Sequence, residues 1–305
     1  MCGIIGFLDK TGSRPLGQTL LTMLDALSCR GPDSAGVAVF GASSPFWIVQ
    51  IMLPEQEDRA GAVKKILESA RDCGPVINHQ VMEAFVRLEV DGTIDPVVLE
   101  ETLVRRHAGL EVVSLGHSLE IVKQVGSPAG LEKAYSIGKR QGSHAIGHTR
   151  MSTESRVDLS HSQPFWAHGV PDLATVHNGH ITNYHKLRRQ YEQRGYRFCN
   201  ENDSEVIGVY LRDRIAAGLS LADALRSSLD DFDGSFSYLA ASADSLAYVK
   251  DRFGFKPLMV AETVEFVAIA TEEIALRKAL GRDFVSLEPA PGTLGIWTVP
   301  SKVAV

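Results

Sequence analysis

The chain opens MCGIIGF, and its second residue is the first candidate for chemistry. Removal of Met1 would leave Cys2 with a free α-amine beside its thiol. A thiolate is a nucleophile, and an adjacent amine can take its proton. The same seven residues also read as a buried first strand that happens to begin with cysteine. Arg150 stands at a strand end in GHTRMST, among hydroxyl groups that include Thr153. Its planar fork suits a carboxylate, or equally a surface ion pair. Arg30 precedes Gly31-Pro32-Asp33, a helix stop and turn, and a loop there could cover a polar ligand. Asn178-Gly179 in VHNGHITN is a tight turn, or an oxyanion hole with the Asn178 amide and the Gly179 N–H as donors. Asp203 in ENDSEVI suits the N-cap of the helix after it, and could also receive an ammonium group. Seven of the ten histidines lie between His144 and His185. Their spacing matches neither HExxH nor a Cys/His zinc pattern, so they read as polar loop and supporting residues. No metal and no other cofactor is expected.

These residues need elements to hold them. Cys2 to Leu8 reads as a buried strand, and Leu16, Leu20, Met23, Leu24 and Leu27 recur at helical spacing. AGVAVF and FWIVQIM read as strands and AGAVKKILESAR as a helix. From about Pro75 to Pro128 the rhythm changes: VMEAFVRLEV as one strand, a helix started by Asp95-Pro96, then LEVVSLG and LEIVKQV as strands. That βαββ pattern suggests a small subdomain. Beyond it, HAIGHT and LATVHN read as strands. Helices follow over 183–194, 203–217 and 220–229, and the last eighty residues are mostly strands with one helix. Strands cluster at both ends with helices between, which predicts layered, largely antiparallel sheets rather than a regular βα alternation.

Composition narrows the function class. A formal charge of −6 argues against a nucleic-acid footprint. No apolar run approaches the roughly 20 residues of a membrane span, and the apolar start is cut short by Asp9 and Lys10. Cys2, Cys29, Cys73 and Cys199 are scattered, with no CxxC pair. A reduced compartment, the cytoplasm, is therefore expected.

The pieces gain meaning from their order. CGI, RGPDSAG, GHTRMST, SQPF, HNGHITN, NDSEVI and DRFGFKPL follow one another between Cys2 and Pro257. The series resembles the class II glutamine amidotransferases, the N-terminal nucleophile family. The segment 75–128 departs from that pattern and looks like an insertion. The resemblance implies an α+β fold, a four-layer αββα sandwich of N-terminal nucleophile hydrolase type. One domain would span 2–305, with the small α/β insertion at 75–128.

The resemblance also implies roles. Cys2 would be the nucleophile and its own α-amine the general base. Asn178 and Gly179 would form the oxyanion hole. Arg30 would sit on a loop over the substrate glutamine, Arg150 would hold its α-carboxylate with Thr153 nearby, and Asp203 would hold its α-ammonium. An unperturbed thiol near 8.5 and an α-amine near 7.7–8.0 suit such a proton exchange. The chain shows no GxxxxGK[ST] loop, no phosphoribosyl-binding stretch and no room for a synthase barrel. A separate glutamate-synthase-like partner subunit is therefore expected to take the ammonia. Among stand-alone members the chain most resembles the amidotransferase-like subunit of N-methylglutamate synthase, also called methylamine-glutamate N-methyltransferase. Two other classes stay open: an acylase-like N-terminal nucleophile amidohydrolase, and a non-catalytic glutamine-sensing subunit.

Overall fold

In the computed structural model, residues 2–53, 58–107, 110–152 and 156–300 are described. Alternating and apolar runs become strands: β1 (Gly3–Asp9), β2 (Ser34–Phe40), β3 (Trp47–Met52), β4 (Val76–Met82), β5 (Phe85–Val90), β6 (Glu111–Gly116), β7 (Leu119–Val125), β8 (His144–Arg150), β9 (Phe165–Trp166), β10 (Ala174–Ile181), β11 (Gly234–Ser242), β12 (Ser245–Lys250), β13 (Met259–Glu262), β14 (Phe266–Ala270), β15 (Ser286–Leu287) and β16 (Thr293–Thr298). The helices are α1 (Leu16–Ala26), α2 (Arg59–Cys73), α3 (Pro96–Arg106), α4 (Pro128–Tyr135), α5 (Tyr184–Gln193), α6 (Glu205–Ala216), α7 (Leu221–Asp231) and α8 (Glu273–Leu280). Their starts follow local chemistry. Asp95 accepts the N–H groups of Val97 and Val98 at the head of α3, with Pro96 in the first turn. Ser220 caps α7 through the Asp223 N–H.

The strands form three sheets: seven strands in the order β15-β13-β14-β1-β8-β2-β7, five in the order β16-β12-β11-β10-β9, and four in the order β4-β5-β3-β6. The pairings are antiparallel, as expected from the sequence. The fold class is α+β. β1 and β8 pack on β10 and β11, so the two larger sheets meet face to face. On β11, Leu239 and Ala241 join the core between the sheets, whereas Phe236, Tyr238 and Ala240 join a second core shared with Val206, Ile207 and Tyr210 of α6. The period-two alternation of a strand thus serves two apolar layers from one element. α1 lies on β1 and β8, and α6 and α7 cover the five-stranded sheet.

Three expectations change in detail. VMEAFVRLEV is not one strand: it breaks at Glu83, whose φ is +31°, and its halves lie in the β4–β5 hairpin. The strands of segment 75–128 do not form a sheet by themselves. β4, β5 and β6 assemble on β3, and β7 joins β2 in the seven-stranded sheet. Asp203 does not cap α6, which begins at Glu205; its carboxylate accepts the Ile181 N–H instead, at 2.9 Å. Among the described residues, no helix is long and apolar enough to cross a membrane.

Candidate active site

Cys2 is fixed by the strand it precedes. β1 runs between β14 and β8, and Ile4, Ile5, Phe7 and Leu8 are fully buried. Each such side chain contributes about 1.5–3 kcal/mol of burial. The Ile4 N–H donates to Thr271 Oγ1 at 2.8 Å, and the Thr271 N–H donates back to the Ile4 carbonyl at 3.0 Å. Arg30 Nε donates to the Cys2 carbonyl at 3.3 Å. Gly3 lies opposite Thr149, and a Cβ there would stand 2.7 Å from Thr149 Oγ1 and 3.0 Å from Leu27 Cβ. Only glycine lets the strand approach so closely beside the thiol.

The half-buried thiol has Sγ 3.8 Å from the Met151 carbonyl. Burial pushes it above the ordinary thiol range; the Met151 contact, the N-terminal charge and then Arg150 pull it down, and the negative field of Asp203 pushes it up. Arg150 is the last residue of β8 and is 4% exposed. Its Nη1 donates to the Arg156 carbonyl at 2.8 Å, and its own carbonyl accepts the Asp33 N–H at 3.0 Å. Burial lowers its pKa, and the negative fields of Cys2, Asp158 and Asp33 oppose the shift. Arg30 sits in the turn after α1, where it spans the Cys2 carbonyl and the Glu272 carboxylate. Thr153 lies outside the described residues; next to it, the Ser152 N–H donates to Asp33 Oδ2 at 2.7 Å.

Asn178 and Gly179 lie in the second half of β10, facing Ser237 and Phe236 of β11. Gly179 has φ +140°, and a Cβ there would stand 2.2 Å from the Ser235 carbonyl oxygen. Asn178 is 4% exposed, and its Nδ2 has no hydrogen-bond partner among the described residues. A buried unpaired amide costs about 1–3 kcal/mol, and it is the kind of donor an oxyanion would satisfy. Asp203 links this strand to the thiol. It accepts the Ile181 N–H, lies 3.9 Å from His177 Nδ1, and is felt at Cys2.

A buried polar lattice holds β10, and residue types and spacing assigned its members no role. Gln163 Oε1 accepts the His177 N–H at 2.6 Å, and Gln163 Nε2 donates to Ser204 Oγ at 3.0 Å. His177 Nδ1 meets Ser204 Oγ at 2.8 Å. His148 Nε2 reaches the His177 carbonyl at 3.2 Å, and burial takes His148 down to about 3. Gln163 and Glu272 fall inside the segments SQPF and ATEEIALRKAL, so order along the chain was the one available signal for them. Cys2, Arg30, Arg150 and Asp203 thus converge, with Asn178 and Gly179 on the strand that Asp203 grips.

The described geometry has known relatives. A family model described as "Glutamine amidotransferase domain" matches residues 148–278. A protein of Methanothermobacter thermautotrophicus named "Putative glutamine amidotransferase" is 35% identical, over 98% of this chain and 100% of that one. "Glutamine amidotransferase-like protein GlxB" of Rhizobium meliloti is 33% identical, over 97% of this chain and 98% of its own. Among solved structures, glutamine phosphoribosylpyrophosphate amidotransferase from B. subtilis aligns with a TM-score of 0.63 at 18% identity. That match takes in 97% of this chain but 48% of the solved one, so this chain spans about half the length of that enzyme. The match shows a shared fold, and the two near-full-length relatives show the family. The chain belongs to the class II glutamine amidotransferase family.

Proposed function

We propose that the protein hydrolyses the side-chain amide of glutamine through a Cys2 thioester and passes the ammonia to a synthase partner. The observation that carries this reading is the environment of Cys2: a half-buried thiol within the fields of both a buried guanidinium, Arg150, and a carboxylate, Asp203. Two opposite charges beside one nucleophile suit the zwitterionic head of an amino acid, which an acylase need not read. On this reading Arg150 binds the α-carboxylate, with Thr153 nearby, and Asp203 binds the α-ammonium. The Asn178 amide and the Gly179 N–H receive the oxyanion. Arg30 positions Cys2 through its carbonyl and closes the substrate side.

The reaction needs the Met1–Cys2 bond cut. The freed α-amine then takes the thiol proton as the sulfur attacks the amide carbon. The protonated amine returns that proton to the departing ammonia. Water, activated by the same amine, cleaves the thioester to glutamate. The four-layer αββα order belongs to the same proposal; its support is that α1 packs outside the seven-stranded sheet and α6 and α7 outside the five-stranded one. Ammonia delivery to glutamate-synthase-like subunits, a role as the amidotransferase component of N-methylglutamate synthase, and a cytoplasmic setting rest on the sequence resemblance.

The test is intact mass after treatment with the glutamine-analogue electrophile diazo-oxo-norleucine, together with glutaminase assays. The expected outcome is loss of Met1, one adduct at Cys2, and no glutaminase activity in Cys2→Ala. Full activity in Cys2→Ala would sink the mechanism, and labelling with activity only on acyl amides would favour the acylase.

A further inference from the structure

We propose that His168, Cys199 and Glu205 form a binding site for one divalent transition-metal ion of zinc type, and that this ion holds the loop carrying Asp203. Each residue offers one ligand atom, and the three atoms all lie within 4.8 Å of one another. His168 follows β9, Cys199 lies in the α5–α6 connection, and Glu205 opens α6. His168 Nε2 stands 3.6 Å from Cys199 Sγ. Zn–N near 2.0–2.1 Å and Zn–S near 2.3 Å at a tetrahedral angle put those two atoms about 3.5 Å apart, so the pair is already at ligand spacing.

The surroundings fit as well. His168 Nδ1 is 2.8 Å from Glu100 Oε1, which orients the ring and leaves Nε2 for a metal. A carboxylate on the far nitrogen is the usual partner of a metal-bound histidine. Glu205 is 3% exposed. Its two oxygens accept the Cys199 and Asn200 N–H groups at 2.6 and 3.1 Å, one lone pair each, so a second pair on each oxygen is open to a cation. Thiolate and Glu205 carboxylate together match the charge of a divalent ion, and N, S and O donors suit zinc or cobalt. Cys199 is exposed, so solvent can fill a fourth position. Binding removes one proton from the Cys199 thiol and one from Nε2 when His168 is imidazolium, and releases both to solvent.

The ligands have a consequence for the active site, and this part rests on the reading that Asp203 holds the glutamine ammonium. Cys199 and Glu205 bracket residues 200–204, which carry Asp203 and Ser204. Through Glu100 the site also ties α3 to this loop. The ion would therefore order the ammonium-binding carboxylate without touching the reacting atoms.

The experiment uses the full chain stripped with a chelator and titrated with Co²⁺ or Zn²⁺ alone. One Co²⁺ per chain is expected, with a thiolate-to-cobalt charge-transfer band and the intense visible bands of a tetrahedral site. Cys199→Ser and His168→Gln should abolish the thiolate band, and Glu100→Gln should weaken affinity about 10–100-fold. Cys29→Ser should change nothing. A spectrum without a thiolate band, or a band that survives Cys199→Ser, overturns the site; circular dichroism of the stripped variants guards against simple unfolding. Stripping should raise KM for glutamine with kcat unchanged, and Zn²⁺ should restore it. Restored metal with an unaltered KM overturns the loop-ordering part. An Asp203→Asn enzyme with unaltered KM overturns the reading of Asp203 and leaves the metal site standing on the cobalt spectrum.

Discussion

Replacing Asn178 with alanine separates catalysis from folding. The Nδ2 amide is buried and unpaired, so the truncation breaks no internal hydrogen bond of that amide. It removes a donor whose burial costs about 1–3 kcal/mol. Against that stands the lost packing of a small side chain, and the two effects nearly cancel. The expected change in unfolding free energy is within about 1 kcal/mol, which a denaturant melt resolves when the slope is unaltered. Catalysis behaves differently. Removing one oxyanion donor costs about 10²–10³ in kcat, or about 2.7–4 kcal/mol of barrier. The Gly179 N–H remains, so the activity falls without vanishing. Because the donor acts on charge that develops in the transition state, KM for glutamine should stay close to that of the parent. Steady-state release of ammonia and glutamate measures both constants. A kcat within about threefold of the parent would refute the oxyanion assignment. So would a loss of several kcal/mol of stability with activity falling only in step with the folded fraction, since Asn178 would then be a structural residue.

Other perturbations follow from the same geometry. Gly179→Ala places a Cβ 2.2 Å from the Ser235 carbonyl oxygen at φ +140°, and should destabilise by about 3 kcal/mol or more by chemical melt; a neutral result would remove the need for glycine there. Arg150→Lys keeps the charge and loses the fork, so KM for glutamine should rise about tenfold or more while discrimination against amides without an α-carboxylate weakens. Burial raises the Cys2 thiol while Met1 is present, so alkylation of the Met1-bearing chain by a neutral reagent should still be accelerating at pH 9, and a plateau near pH 7 would contradict this. Burial takes His144 down to about 4 and His148 to about 3. A lowered histidine contributes stability that is present above 6.5 and lost as pH falls toward its folded value. Each should add a slope of about 1.4 kcal/mol per pH unit between pH 6.5 and 4. Melts of His144→Gln across pH 7 to 4.5 should show a shallower fall than the parent.

The strands beside Cys2 and Arg150 are legible in the sequence because they are buried on both faces: β1, β2 and β8 are buried at every position. β4 is not, because VINHQVM is mostly exposed and carries no period-two apolar signal. Pairing was also hidden. β6 and β7 are separated by two residues and read as neighbours, yet they enter different sheets. Asp172, distant in sequence, accepts the N–H groups of His117, Ser118 and Leu119, each at 2.8 Å, and spends the turn's donors there. The same limit applies to the site. Residue types singled out Arg150 and Asp203, whereas the grip of Asp203 on Ile181 and the Gln163–His177–Ser204 lattice exist only across chain distances that no spacing rule spans.

The environment of Cys2 bears on when its proton moves. In the chain that still carries Met1, burial is the largest influence on the Cys2 thiol and raises it, outweighing the Met151 contact, the N-terminal charge and Arg150, while Asp203 adds to the rise. Glutamine, bound as proposed, brings a carboxylate to Arg150 and an ammonium to Asp203, and cancels both fields at once. The substrate head group therefore does little to ionise the sulfur. In the processed enzyme, an ordinary thiol near 8.5 facing an α-amine near 7.7–8.0 already makes complete proton transfer before attack slightly unfavourable. The transfer must accompany carbon–sulfur bond formation, with the developing charge moving onto the carboxamide oxygen. With Asn178 and Gly179 as the proposed oxyanion donors, the burden of catalysis then falls on them rather than on a preformed thiolate. On this reading the unpaired Asn178 Nδ2 is a donor held ready for that charge.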